Sequence, residues 1–178
     1  MLNRLLYRIK QFWFAVAAGM TDEDRNFARQ YLNLKEAALF FSLAGFEQKH
    51  AVVVARKMRE EGRGVRGVEE RKLIRLGLLH DVGKAAEKLS ILDKSVLVIA
   101  HRFLPKLYDD LAKNGEAESS AGFFRKFYVH KHHGAIGAEL LSKIGESSDI
   151  VAEVKSHDRP FGSHDIYMRL LDFADSTY

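Results

Sequence analysis

Eight histidines and no cysteine set the ligand chemistry open to this chain of 178 residues: any metal it holds must sit on imidazole and carboxylate. The stretch LGLLHDVGKAAEK, residues 76–88, concentrates that chemistry. An apolar run ends at Leu79, His80 and Asp81 follow side by side, and Gly83 and Lys84 come directly after. Neighbours on a helix point about 100° apart, so two consecutive side chains converge on one ion best where a helix ends, and Gly83 supplies that ending. His50 lies in HAVVVARKM, His133 opens HHGAIGAELL, His157 ends DIVAEVKSH and Asp175 lies in RLLDFADS. Each sits in or beside a segment patterned to pack inward, where a solitary imidazole or carboxylate is costly unless paired or metal-bound. A carboxylate such as Asp81 can bridge two cations, with imidazoles completing shells suited to Fe, Mn, Co, Ni or Zn. Two cations roughly 3.5–4 Å apart can hold a hydroxide and neutralise phosphate oxygens, and Lys84 would bring an ammonium to a phosphoryl oxygen.

The elements that must position these groups read as helices. Apolar residues recur at helical spacing over 22–32, 34–44, 46–61, 68–81, 94–113, 119–129, 133–145, 149–157 and 164–176, and no segment alternates with period two. Thr21 with Asp24 and Asn33 with Glu36 have capping-box spacing, Gly45 and Gly62 mark helix ends, and Pro105 should kink or split the fifth long segment. A polar joint spans Asn114–Ser120. Gly62 to Gly67 spells G-x-G-x-x-G, but it follows a charged helix ending Arg-Glu-Glu. Without a preceding strand it reads as a solvated basic loop, not a dinucleotide cradle.

A hydrophobic content of 47% can bury a real core, and the length suits one domain with an extension. The net charge of +4 is too small and too dispersed to argue for nucleic acid, though it helps hold an anionic substrate. The first segment, LLYRIKQFWFAVAAGM, is interrupted by Arg8 and Lys10 and too short to span a bilayer. It reads as an amphipathic helix docked on the core or on a second subunit, with membrane contact through Phe12, Trp13 and Phe14, or a secretory leader, as alternatives.

The order His50, His80-Asp81, His133, His157, Asp175 resembles the H…HD…H…H…D pattern of the HD-domain superfamily of metal-dependent phosphohydrolases, and HDVGK is similar to the HDxGK form of its core motif. The resemblance covers about residues 40–178 and leaves 1–39 as a helical extension. It implies an all-α helical bundle, an enzyme and one or two divalent transition metals, two being preferred, while the absence of cysteine suits a cytoplasmic location. His50, His80, Asp81 and Asp175 would hold one ion. His133 and His157 resemble the added histidines of two-metal members, with Asp81 bridging. The implied reaction is attack of a metal-activated hydroxide on phosphorus, with Lys84 stabilising the charge that develops. HGAIGAELL resembles the segment found in members acting on cyclic dinucleotides and dinucleoside polyphosphates, so a small phosphorylated nucleotide is the expected substrate.

The sequence departs from the cyclic-dinucleotide members after His157, where Asp158-Arg159-Pro160-Phe161-Gly162 replaces their distinctive stretch. Arg159 is a candidate phosphate clamp. Glu47, three residues before His50, reads as an exposed acidic residue on a helical turn, with a ligand or supporting role as the alternative. His130 and His132, with Arg125 and Lys126, are expected to line the site mouth or face solvent, and His101 and His164 carry no assignment. A non-catalytic HD module that binds a nucleotide and acts through a partner is the competing reading, and a homo-oligomer fits either.

Overall fold

The structure is a computed structural model that describes residues 19–117, 120, 122–158 and 165–177. Residues 1–18, with the expected amino-terminal helix, lie outside the described residues, as do Arg159 and His164. Capping chemistry starts the early helices. In α1 (Asp22–Tyr31) the Asp24 amide donates to Thr21 Oγ1 at 3.2 Å, and the Thr21 amide donates back to Asp24 Oδ2 at 3.1 Å. Asn33 and Glu36 do the same for α2 (Leu34–Ser42). Then follow α3 (Gly45–Gly62), α4 (Glu70–Leu79), a 3-10 turn (Val82–Ala86), α5 (Ile91–Phe103), α6 (Pro105–Asn114), α7 (Gly122–Lys143), α8 (Ser148–Ser156) and α9 (Ile166–Ser176). The described residues contain no strand, and no described helix is long and apolar enough to cross a membrane.

Several boundaries differ from the sequence reading, each for a local reason. Gly45 opens α3 instead of ending α2, which stops at Ser42. The segment 94–113 splits as Pro105 requires, at Leu104, but its first half begins at Ile91, where Ser90 and Asp93 form a third capping box. The two helices expected over 119–129 and 133–145 run nearly end to end as α7 and part at His132, whose backbone leaves helical geometry (φ −116°, ψ 15°). Gly64 and Gly67 take positive φ in an exposed loop between two helices, consistent with a solvated turn.

Two hydrophobic clusters hold the bundle. The larger unites α1–α4 with α8, α9 and the end of α7, through Phe27, Phe40, Met58, Leu73, Leu76, Leu79, Leu141 and Leu171 among others. Residues 22–43 supply Phe27, Ala28, Leu32, Phe40 and Leu43 to it. The smaller joins Leu89, Leu97, Ala100, Tyr108, Ala112 and Phe127 from α5, α6 and the first half of α7. Helices α3 and α4 cross in close contact: a Cβ on Gly77 would lie 2.7 Å from Ala55 Cα. That approach brings the His50 and His80 rings to 5.5 Å.

Asp24 also ties α1 to α3, accepting from Lys49 Nζ at 2.6 Å and Arg56 Nη1 at 2.8 Å while itself buried. Burial pushes its carboxyl up, but the Lys49 ammonium and the Thr21 hydrogen bonds outweigh that and lower the pKa to about 2. A depressed carboxyl stabilises the fold above its unfolded pKa and loses that contribution as pH falls through the folded value. The difference from 3.8 corresponds to about 2 kcal/mol near neutrality. Asp24→Asn should therefore be less stable than wild type by about 2 kcal/mol at pH 7, with the gap narrowing by about 1 kcal/mol at pH 3 in urea titrations. A gap independent of pH would show that the ion pairs contribute nothing.

Candidate metal centre

The end of α4 releases His80 and Asp81 as the sequence suggests. Asp81 leaves helical geometry (φ −101°, ψ 6°), and the 3-10 turn carries Gly83 and Lys84 onward beneath α7. His80 is fully buried and Asp81 is 2% exposed. The two oxygens of Asp81 face opposite ways. Oδ2 lies 3.4 Å from His80 Nε2 and 3.8 Å from His50 Nε2, whereas Oδ1 lies 3.2 Å from His133 Nε2 and 3.6 Å from His157 Nε2. Asp175 Oδ1, from α9, is 2.8 Å from His50 Nε2 and 3.9 Å from His80 Nε2. All six residues singled out by the sequence thus meet, in two groups with converging ligand atoms: His50, His80 and Asp175, and Asp81, His133 and His157.

Three of the imidazoles are oriented by one local device. His80 Nδ1 faces Gly77 O at 2.9 Å, His133 Nδ1 faces His130 O at 2.8 Å and His157 Nδ1 faces Val154 O at 2.6 Å, each a carbonyl three residues earlier. A carbonyl can only accept, so each Nδ1 must donate and each neutral ring turns an Nε2 lone pair to the centre. The consequence is a cluster of acceptors. His133 Nε2 and His157 Nε2 stand 3.1 Å apart beside Asp81 Oδ1, and His80 Nε2 is buried with no hydrogen-bond partner. Such a set is unfavourable unless positive charge lies within it, and imidazole nitrogens with carboxylate oxygens are ligands of first-row divalent metals. The residues present therefore fit one or two such ions.

The surrounding charges agree. Burial pushes the Asp81 carboxyl up, but His80 and Lys84 outweigh it and hold the group well below the usual carboxylate range. Burial and then the Lys84 ammonium lower the His133 pKa, which favours the neutral, ligating ring. For His80 burial acts downward too, yet Asp81 prevails and raises it. Asp175 is depressed by His50 and His80 against the upward pull of burial.

Lys84 donates to Asp81 Oδ2 at 2.5 Å and lies 3.9 Å from Glu47 Oε2. Glu47 corrects the sequence reading: it is buried, not on an exposed turn, and accepts from Lys94 Nζ at 3.0 Å. The capping of α5 at Ser90 swings Lys94 onto the start of α3, a tertiary pairing that local pattern does not reveal. His130 is likewise fixed, not solvated. Its Nδ1 is hydrogen-bonded to the buried Tyr108 hydroxyl at 2.7 Å, its ring lies 6.4 Å from that of His133, and burial, with Lys84 nearby, pushes its pKa down to about 3. Tyr108, absent from the sequence-based site, stacks near His101 as well, with centroids 4.9 Å apart. Only its position opposite His130 across α6 and α7 signals a role. Lys126 turns to Asp93 at 2.8 Å, and Arg125 caps the carbonyls of Gly115 and Glu116, so neither borders the centre.

A family model described as HD domain matches residues 48–178. No curated protein and no solved structure matches the chain.

Proposed function

Because the chain belongs to the HD-domain family, whose members are mostly metal-dependent hydrolases, we propose that it is a phosphohydrolase cleaving a phosphate ester or anhydride of a nucleotide or nucleotide-derived signal. The observation that carries this reading is the division of Asp81, one oxygen toward His50 and His80 and the other toward His133 and His157. His50, His80, Asp81 and Asp175 would hold one ion, and Asp81, His133 and His157 a second. Divalent metals in such a pair supply Lewis acidity to phosphoryl oxygens and acidify a water at neutral pH.

The chain's own groups do the rest. Asp81 fixes the spacing of the two ligand sets, and the backbone carbonyls of Gly77, His130 and Val154 hold the imidazoles in the ligating tautomer. The Lys84 pKa is held above its ordinary value by Asp81 and Glu47 despite burial, so its ammonium is a permanent charge beside the reacting phosphoryl group. A run of rings leads from His133 through His130 and Tyr108 to exposed His101, which favours a substrate with an aromatic base.

The test is a panel of phosphomonoesters, linear and cyclic dinucleotides and dinucleoside polyphosphates assayed with Mn, Fe, Co, Ni or Zn, alongside elemental analysis. Metal-dependent turnover of at least one nucleotide is expected. Bound metal without turnover across the panel would favour a binding module instead. Within the same panel, Lys84→Met should retain metal while kcat falls about 100-fold, as when one fixed charge facing a transition state is removed. An unchanged rate would confine Lys84 to pairing with Asp81 and Glu47.

A further inference from the structure

Helix α5 is apolar on two sides. Leu97 and Ala100 pack inward against Tyr108, Ala112 and Phe127, yet Leu92, Val96, Ile99 and Phe103 form a second stripe that faces outward. Leu92 is 78% and Phe103 72% exposed, and Val96 and Ile99 are about half exposed. The 4-3-4 spacing is that of a coiled-coil seam. Phe123 borders the stripe in a cleft shared with Leu92 and Val96, and Leu104 and Leu107 follow it in the chain, each about half exposed. Together these side chains expose roughly 800 Å², more than a monomer ordinarily leaves in one patch and about the share each partner gives a standard interface. Of the charges on α5, Asp93 is answered by Lys126 at 2.8 Å and Lys94, on the inner side, by Glu47 at 3.0 Å, while exposed Arg102 flanks the seam beside Phe103.

We propose that this face is a homodimer interface, in which α5 packs antiparallel on α5 of a second copy about a two-fold axis between Val96 and Ile99. The 4-3-4 spacing is palindromic, so this register sets Val96 against Ile99 of the copy and Leu92 against Phe103 of the copy. The face carries the matching knob and hole. Phe103 projects at one end of the seam, and at the other a cleft of about 110 Å³ opens between α5 and α7, lined by Leu92, Val96, Leu97, Phe123 and Phe127 and by the paired Asp93 and Lys126. The two-fold brings each Phe103 over the other copy's cleft, an aromatic anchor in a mostly apolar pocket whose two charges are already paired with each other. Lys94 on the inner side of α5 bonds Glu47, which faces Lys84, so a docked copy would also steady the ion pairs leading to Asp81.

Sedimentation equilibrium of the full chain, from about 1 to 200 μM, should show a dimer with a dissociation constant in the micromolar range. Val96→Glu with Ile99→Glu should weaken it at least ~100-fold without changing helix content or melting temperature of the monomer, because both side chains are exposed there. As the native chain has no cysteine, Val96→Cys with Ile99→Cys should form a disulfide-linked dimer on mild oxidation, whereas a control cysteine at exposed Leu34 should not. A monomer at about 200 μM overturns the proposal, whether the face binds anionic vesicles or is covered by residues 1–18 of its own chain, as does a dimer that the glutamates leave intact.

Discussion

Asp81→Ala should abolish turnover, by about 1,000-fold or more, and strip most of the bound metal while leaving helix content near wild type. The reason lies in the geometry of one carboxylate. Each of its oxygens serves a different ligand group, so its loss opens both at once, whereas loss of any single imidazole opens one. The helical bundle does not depend on it, since the larger core is built from apolar contacts on other faces of α3, α4, α8 and α9. Some instability will follow from Lys84, whose buried ammonium loses its 2.5 Å partner and keeps only Glu47 at 3.9 Å. Asp81→Asn, which keeps the shape, separates that penalty from metal binding. His133→Ala with His157→Ala is the graded companion: it should remove about half the metal and most of the activity. Elemental analysis with circular dichroism reads all three, and full metal occupancy in either Asp81 variant would sink the bridging assignment.

Gly83→Ala should be the most damaging single substitution for stability among the site's neighbours, costing about 3 kcal/mol or more and lowering the melting temperature by roughly 6–12 °C. A Cβ at Gly83 would overlap His133 O and stand 2.6 Å from Gly137 N. Those are main-chain atoms of α7, which cannot rotate aside as a side chain can. The 3-10 turn would have to retreat from α7, drawing Asp81 away from His133, so metal affinity should fall together with stability. Gly137→Ala is the control. Its Cβ would meet Gly83 N at 3.1 Å and Val154 Cγ1 at 3.2 Å, so the neighbours need give only a few tenths of an ångström where Gly83→Ala demands a true overlap be relieved, and the loss should be nearer 1 kcal/mol. Equal melting temperatures for Gly83→Ala and wild type would show that the turn does not press on α7.

This explains what the sequence could and could not disclose. The glycine of HDVGK was legible as a helix ending, yet its φ is not positive, and what demands glycine is the passage of α7 across it. The six chemistry-bearing residues were legible because a buried imidazole or carboxylate is conspicuous within an apolar segment. Helix starts at Thr21 and Asn33 were legible because capping is local. Glu47 and Tyr108 were not, because their partners, Lys94 and His130, are brought to them by α5 and α7 from 47 and 22 residues away. The break in α7 was legible too, since the segments patterned over 119–129 and 133–145 part at His132, where φ and ψ leave the helical region.

The kink at His132 places a fulcrum next to the chemistry. On one side of it α7 belongs to the smaller cluster through Phe127, on the other to the larger through Leu141. Any rocking of the smaller layer against the larger therefore turns about a point one residue from His133. Phe123, nine residues and about 14 Å along the helix, would swing by about 2.4 Å for a rotation of 10°, whereas an atom at the pivot barely moves. A lever hinged there can widen the approach between α5, α6 and the metal ligands while the ligand geometry itself stays within tolerance, so access and coordination need not compete.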